Sequence, residues 1–207
     1  MSMPRKIYRM PTVTFAAMTN VAVDITKLYL ELQDWKALQI ILLEERKLPQ
    51  KTLAGQKRVF AEIRFQLEHL SEEEMILLSQ SELVSQRLLL HLAACKAYRF
   101  LHNFIVSVLR EKMLVYDNFL NHFDFHKFWD EESLLHPEVA RLGEVSQQQI
   151  RRAVFRYLAE IGITDSIKEP KIQTPWVSHE LGTVIARTNP EWLKIFLLSD
   201  QQINDFL

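Results

Sequence analysis

The sequence contains a single cysteine, Cys95, so the chain cannot form an internal disulfide. Cys95 lies in the apolar run LLLHLAAC, which predicts a small core residue in a protein of the reducing cytoplasm. Only 4 glycines and 7 prolines leave little room for low-complexity linkers. The 207 residues are 48% hydrophobic and 25% charged, as in ordinary globular proteins. This composition predicts one folded domain or two small ones.

Long charge-free hydrophobic runs are also missing. The most apolar segment, residues 83–116, is interrupted by four basic residues, Arg87, Lys96, Arg99 and Arg110. These charges argue against a membrane-spanning helix. The apolar stretch after the basic N-terminus contains Thr14, Thr19 and Asn20, so we expect no signal peptide. The sequence therefore predicts a cytoplasmic protein with no membrane partner.

Motifs of catalysis are lacking as well: there is no glycine-rich phosphate loop, nucleophile elbow or zinc-binding cysteine pair. His122 and His126 could share a metal on one helix face, with Asp124 or His136 as a further ligand. The aromatic residues around them favour a packed corner instead. We expect no metal, no cofactor and no enzymatic activity.

The pattern of apolar residues is helical, because they recur at intervals of three and four. Capping boxes are expected at Ser71–Glu74 and Ser146–Gln149, and Asn189 before Pro190 marks another helix start. The predicted helices cover residues 20–32, 34–45, 52–70, 71–80, 82–116 with an optional break, 124–131, 137–143, 146–161 and 190–198. The fold class predicted is all-α.

Two domains are predicted, with the boundary in the mixed aromatic and acidic segment before Pro137. Residues 1–120 would form an N-terminal helical bundle, and residues 121–207 a smaller C-terminal helical domain. Two β-leaning pieces around Glu169-Pro170 suggest a short hairpin. The order of elements from Pro137 onwards is that of a winged helix-turn-helix.

Charge is unevenly distributed although the net charge is only -1. Residues 1–70 hold 11 basic and 7 acidic side chains, residues 71–145 hold 7 and 12, and residues 146–207 hold 7 of each. Candidates for phosphate contacts in the basic N-terminal part are Arg5, Lys6, Arg9, Lys57, Arg58 and Arg64. The alternative is an ordinary solvated surface, with Lys and Arg stems covering apolar groups.

The segment SQQQIRRAVFRYLAEIG separates into two faces on a helical wheel. One face holds Gln149, Arg152 and Arg156, with Gln148 beside them. The other is an apolar stripe of Ile150, Val154, Tyr157, Leu158 and Ile161. As the second helix of a helix-turn-helix, the polar face could read adenine through Gln and guanine or phosphate through Arg. The alternative is an ordinary solvent-exposed helix face, on which Gln and Arg occur because both favour helix formation.

A series of phrases in this sequence resembles the BrxA family of BREX (bacteriophage exclusion) defence systems. In order, they are LYLELQDWKALQIILLEERKL, KRVFAEIRFQLEHLSEEEMILL, QRLLLHLAACKAYRFLHNFIVSVLREKML, FDFHKFWDEESLLHPEVARL and IRRAVFRYLAEIGI. The resemblance implies a helical protein whose N-terminal part is similar to the antitermination factor NusB. It also implies binding of double-stranded DNA beside the methyltransferase, phosphatase-like and ATPase components of BREX.

The resemblance favours a noncatalytic DNA-binding accessory protein over a merely solvated surface. Two alternatives remain open: a protein-interaction scaffold of the BREX complex without DNA contact, and an RNA-binding protein of the NusB type. For the scaffold, the apolar residues 190–207 would dock on another subunit or on a second copy in a homodimer. The alternative for that segment is a helix that packs on the core of the protein itself.

Overall fold

A computed structural model describes residues 8–10 and 18–207. Helices account for most of this part of the chain. They are α1 (Thr19–Leu32), α2 (Trp35–Glu44), α3 (Leu53–Leu67), α4 (Glu72–Gln80), α5 (Leu83–Ala97), α6 (Arg99–Phe104), a π-helical turn (Ile105–Arg110), α7 (Glu111–Leu114), α8 (His122–Leu135), α9 (Pro137–Ala140), α10 (Glu144–Glu160), α11 (His179–Thr188), a 3₁₀ helix (Pro190–Phe196) and α12 (Asp200–Asn204). The all-α prediction is confirmed.

Side-chain caps set several helix starts. The Ser71 hydroxyl accepts from the Glu74 amide, and the Glu74 carboxylate accepts from the Ser71 amide, as the predicted capping box requires. Asn189 caps the amide of Glu191, although the element after it is a 3₁₀ helix. The predicted box at Ser146 is wrong, because α10 begins two residues earlier, after Gly143.

The long apolar segment is broken at Tyr98, which adopts extended backbone between α5 and α6. No proline or glycine marks this break, but the Tyr98 hydroxyl donates to Glu62 on α3. The structure also contains two helices that the periodicity did not predict, α11 and α12. In α11, Gly182 faces Phe206, and a Cβ at Gly182 would lie 2.2 Å from that ring.

The first five helices pack against one another, and the C-terminal elements return to them. Helix α11 contacts α4, and the 3₁₀ helix contacts both α5 and the π-helical turn. Arg110, in that turn, donates from Nε to the carbonyl oxygen of Leu198 at 2.8 Å and from Nη2 to Asp200 at 2.7 Å. Phe196 is fully buried. Most apolar side chains of the C-terminal segment are buried with it and close the core, whereas Leu207 is exposed.

An aromatic cluster joins α6 to α8 across the predicted domain boundary. Phe100 and Phe104 contact Phe125, Phe128 and Trp129, with ring centroids 5.1–6.1 Å apart. Edge-to-face pairs of this kind contribute about 0.5–1.5 kcal/mol beyond the buried area. The two predicted domains share one hydrophobic core, and their division at residue 120 stays a prediction.

Polar groups in the core are paired. Glu74 is fully buried, and both of its oxygens lie 2.7 Å from Nζ of Lys96. His91 is also fully buried, with Nδ1 2.8 Å from the Tyr157 hydroxyl and Nε2 3.4 Å from the Ile195 carbonyl oxygen. Cys95, one turn after His91, is fully buried as expected, and burial raises the pKa of its thiol.

Candidate nucleic-acid interface

Helix α10 has the two faces that the wheel predicts. Ile150, Val154, Tyr157 and Leu158 are buried, and Phe155 is buried beside them. The apolar face anchors the helix on the core, and α10 ends where Gly162 takes a φ of 80°, a left-handed conformation that favours glycine.

On the opposite face, Gln149, Arg152 and Arg156 are all exposed, as is Gln148. Neither Arg152 nor Arg156 makes an ion pair with any residue that the structure describes. From Gln149 to Arg156 the stripe runs about 10 Å along the helix axis. These three residues form a continuous polar strip, which we call the α10 stripe.

The third arginine of this segment, Arg151, lies elsewhere. It is half-buried, and its Nη1 lies 3.2 Å from Nε2 of His126 on α8. Partial burial and the charge of Arg151 both lower the pKa of His122. The wheel places Arg151 about 100° from Arg152, on the border of the apolar face, so its contact with α8 follows from helix phase.

The elements on either side of α10 are short. One helical turn, α9, precedes α10, and the chain after Gly162 doubles back on itself. Thr164 forms an isolated antiparallel bridge with Ile172, and Phe119 forms another with Lys171. No strand is assigned in residues 8–10 and 18–207. The segment after Gly162 is thus a hairpin-like loop, and the helix-turn-helix, its wing and its DNA binding stay predictions.

The N-terminal candidates are gathered on and around α3, except for Arg5 and Lys6, which lie outside the described residues. Lys57 and Arg58 are exposed, and neither forms an ion pair with a described residue. Arg64 donates from Nε to Glu68 at 2.7 Å and lies 5.8 Å from the Trp35 ring. Its charge is therefore partly balanced within the protein.

Arg9 joins this group through the chain segment before α1. Its guanidinium lies over the Phe65 ring, 4.3 Å from the centroid. The preceding residue, Tyr8, is buried, donates to Glu132 and stacks on His136. These contacts hold Arg9 beside α3.

The two basic groups are separate. Ile63 and Leu67 of α3 line a cavity of about 20 Å³ together with Tyr157 of α10 and Ile161, the residue after that helix. Because residues of both buried stripes line this cavity, the basic faces of the two helices point away from it. A duplex lying on the α10 stripe would therefore not touch α3 through the same face.

Two of the candidate metal ligands contact other side chains of the protein. Asp124 caps α8 in a box with Asn121 and accepts from Nζ of Lys112 at 3.3 Å. His126 contacts Arg151. No cluster of three or more His, Cys, Asp or Glu side chains that could hold a metal occurs in the part of the chain that the structure describes.

In residues 8–10 and 18–207, none of the helices combines the length and the apolar content that crossing a membrane requires.

Comparison with known proteins gives a family and a relative in fold. A solved structure described as the crystal structure of an uncharacterized protein from Magnetospirillum magneticum is similar over 93% of this chain and 95% of that chain, with a TM-score of 0.73 and 17% identity. This likeness supports the fold. No curated protein matches significantly. The BrxA family model matches residues 6–189, which is most of the chain. The protein therefore belongs to the BrxA family and has a role in BREX phage defence.

Proposed function

We propose that this BrxA-family protein is a noncatalytic accessory of BREX that binds double-stranded DNA and so supports host DNA modification and phage restriction. The observation that carries the proposal is the α10 stripe, an exposed row of Gln149, Arg152 and Arg156 backed by a buried apolar face. Its partners within BREX would be the methyltransferase, phosphatase-like and ATPase components.

The geometry of the α10 stripe suits a major groove. The groove of B-DNA is about 12 Å wide and admits one α-helix. With the N-terminus of α10 entering the groove first, a stripe of about 10 Å would bring Gln149 to the base edges and Arg152 and Arg156 within reach of bases or flanking phosphates. Since no ion pair with a described residue holds the two arginines, their charges are available to phosphates.

A second contact region is proposed on α3. Lys57 and Arg64 lie within about 20° of each other around the helix, whereas Arg58 lies about 100° from Lys57. With Arg9 over Phe65, these side chains can neutralise a phosphate backbone. Arg5 and Lys6 precede this group in sequence. The region would bind DNA independently of sequence, on a face of the protein other than that of the α10 stripe.

The test is a titration of a labelled random-sequence duplex across a salt series, with wild-type protein and Arg152→Glu/Arg156→Glu. Lys27→Glu/Lys36→Glu is the matched control, because both lysines are exposed on other helices and the charge change is the same. Wild-type affinity should fall steeply with salt, and the slope of log K against log salt should drop by about two in the α10 variant.

Each result assigns the function differently. Loss of binding in the α10 variant alone, with an unchanged circular dichroism spectrum, places DNA on the α10 stripe. Equal losses in both variants mean that only total charge matters, and unchanged binding in both moves the contact to α3. If wild-type protein shows no salt-sensitive binding, the proposal is wrong, and the scaffold interpretation takes its place.

A further inference from the structure

Exposed aromatic side chains surround one groove next to α10. Phe119 and Phe123 are 62% and 74% exposed, and both line a groove of about 540 Å³ together with Asn121, His122, Lys168 and Glu169. We call it the aromatic groove. Its size lies within the range of about 300–1,000 Å³ that is typical of small-molecule sites. What sets Phe119 and Phe123 apart from other exposed apolar side chains is that both line this one groove.

The aromatic groove is preformed. One wall is residues 118–123 and the other is the hairpin-like loop after α10. Backbone hydrogen bonds join them, from the Leu120 amide to the Pro170 carbonyl at 2.9 Å and from the Ile172 amide to the Asn118 carbonyl at 2.7 Å. Asn121 is fixed further by its cap on α8. A ligand entering the groove therefore need not order its walls.

The aromatic groove borders the α10 stripe. The His122 ring lies 5.7 Å from the Phe155 ring, so α10 contacts the groove directly. Phe155 lies about 60° around the helix from Arg152, and exposed Gln148 lies between them. A nucleic acid on the α10 stripe could reach the groove with an adjacent unpaired segment.

We propose that the aromatic groove binds unpaired bases of single-stranded DNA, an inference that rests on the proposed DNA-binding function. A base has a flat apolar face and a hydrogen-bonding edge, and the groove offers both complements. Phe119 and Phe123 supply stacking surfaces, the Asn121 amide and Glu169 carboxylate can pair with a base edge, and Lys168 can contact phosphate.

The shape of the groove favours a base over a peptide helix. A docked helix uses apolar anchors along several turns. Here the apolar lining is limited to Phe119, Leu120 and Phe123, and the opposite wall carries the charged side chains of Lys168 and Glu169. A short apolar wall facing a charged rim matches one or two stacked nucleotides.

The experiment compares three labelled probes, an oligothymidylate of about 15 nucleotides, an oligouridylate of the same length and a blunt duplex. The variant is Phe119→Ala/Phe123→Ala. The matched control is Leu134→Ala/Leu135→Ala, which removes two apolar side chains of α8 that are 88% and 73% exposed. All four side chains are largely exposed, so we expect both variants to fold as wild type.

We expect the phenylalanine variant to bind oligothymidylate about tenfold to a hundredfold more weakly than wild type, because each base–aromatic stack contributes substantially to affinity. Duplex binding and the leucine control should be unchanged. Equal affinity of the phenylalanine variant and wild type for oligothymidylate would overturn the inference. So would tighter binding of oligouridylate, which points to RNA.

The proposed function and this inference fail separately. If wild-type protein binds the duplex but not oligothymidylate, the inference about the aromatic groove is wrong and the proposed function stands. If wild-type protein binds neither DNA probe, both the proposed function and the inference are wrong. If the phenylalanine variant keeps all nucleic-acid affinities but no longer co-purifies with the BREX components, the groove docks protein, and the inference is wrong.

Discussion

Acidification from about pH 7.5 to 5 is expected to destabilise the protein by about 2 kcal/mol through His91 alone. Burial lowers the pKa of His91 from 6.5 to about 4, against a smaller raising effect of the Ile195 carbonyl. The neutral ring fits its surroundings, since Nε2 can donate to Ile195 while Nδ1 accepts from Tyr157.

The sign follows from proton linkage. Between pH 6.5 and 4 the unfolded chain protonates His91 and the folded chain does not, so the unfolded state gains stability as the pH falls. At pH 4 the effect reaches about 3 kcal/mol, and it levels off below pH 4, where His91 is protonated in both states. Above pH 6.5 the side chain is neutral in both states, and the effect vanishes.

Urea denaturation of wild type and His91→Gln across this pH range isolates the effect, because the other titrating groups are common to both proteins. Between pH 7.5 and pH 5, the free energy of unfolding of wild type should fall by about 2 kcal/mol more than that of His91→Gln. Parallel pH profiles would refute the argument, as would an NMR titration in which the His91 ring protonates near its ordinary pKa.

Two further predictions concern stability. Glu74→Ala should lower the free energy of unfolding by about 3–5 kcal/mol in urea denaturation, because it leaves Lys96 buried without its partner. The double variant Glu74→Leu/Lys96→Met should recover most of this loss, and no recovery would contradict the reasoning. Gly182→Ala should cost about 1–3 kcal/mol, because its Cβ would lie 2.2 Å from Phe206. Phe206→Ala should reduce the penalty of Gly182→Ala in a double-mutant cycle, whereas additive effects would argue against the clash.

Local signals predicted most of the helical fold. The Ser71 box and the spacing of buried residues in α3 and α10 are short-range features, so the sequence displays them directly. Helix α11 was missed because glycine and β-branched residues at positions 182–185 have low helix propensity. Its stability comes from packing on α4 and the 3₁₀ helix, which no local pattern reveals.

The candidate site was predictable in part. Helix phase identifies the exposure of Gln149, Arg152 and Arg156. It cannot identify partners distant in sequence, such as Phe65 beneath Arg9. The aromatic groove escaped sequence reasoning for the same reason: its walls are about 50 residues apart in the chain, and the exposure of Phe119 and Phe123 depends on how those walls meet.

Cys95 provides a natural probe of how often the folded protein opens. It is the only thiol in the sequence, it is fully buried, and burial raises the pKa of its thiol, so the native state shields it from thiol reagents. Modification at this position must wait until the surrounding helices separate. With excess reagent, the labelling rate of unaltered protein would therefore report how often the bundle opens, without any introduced probe.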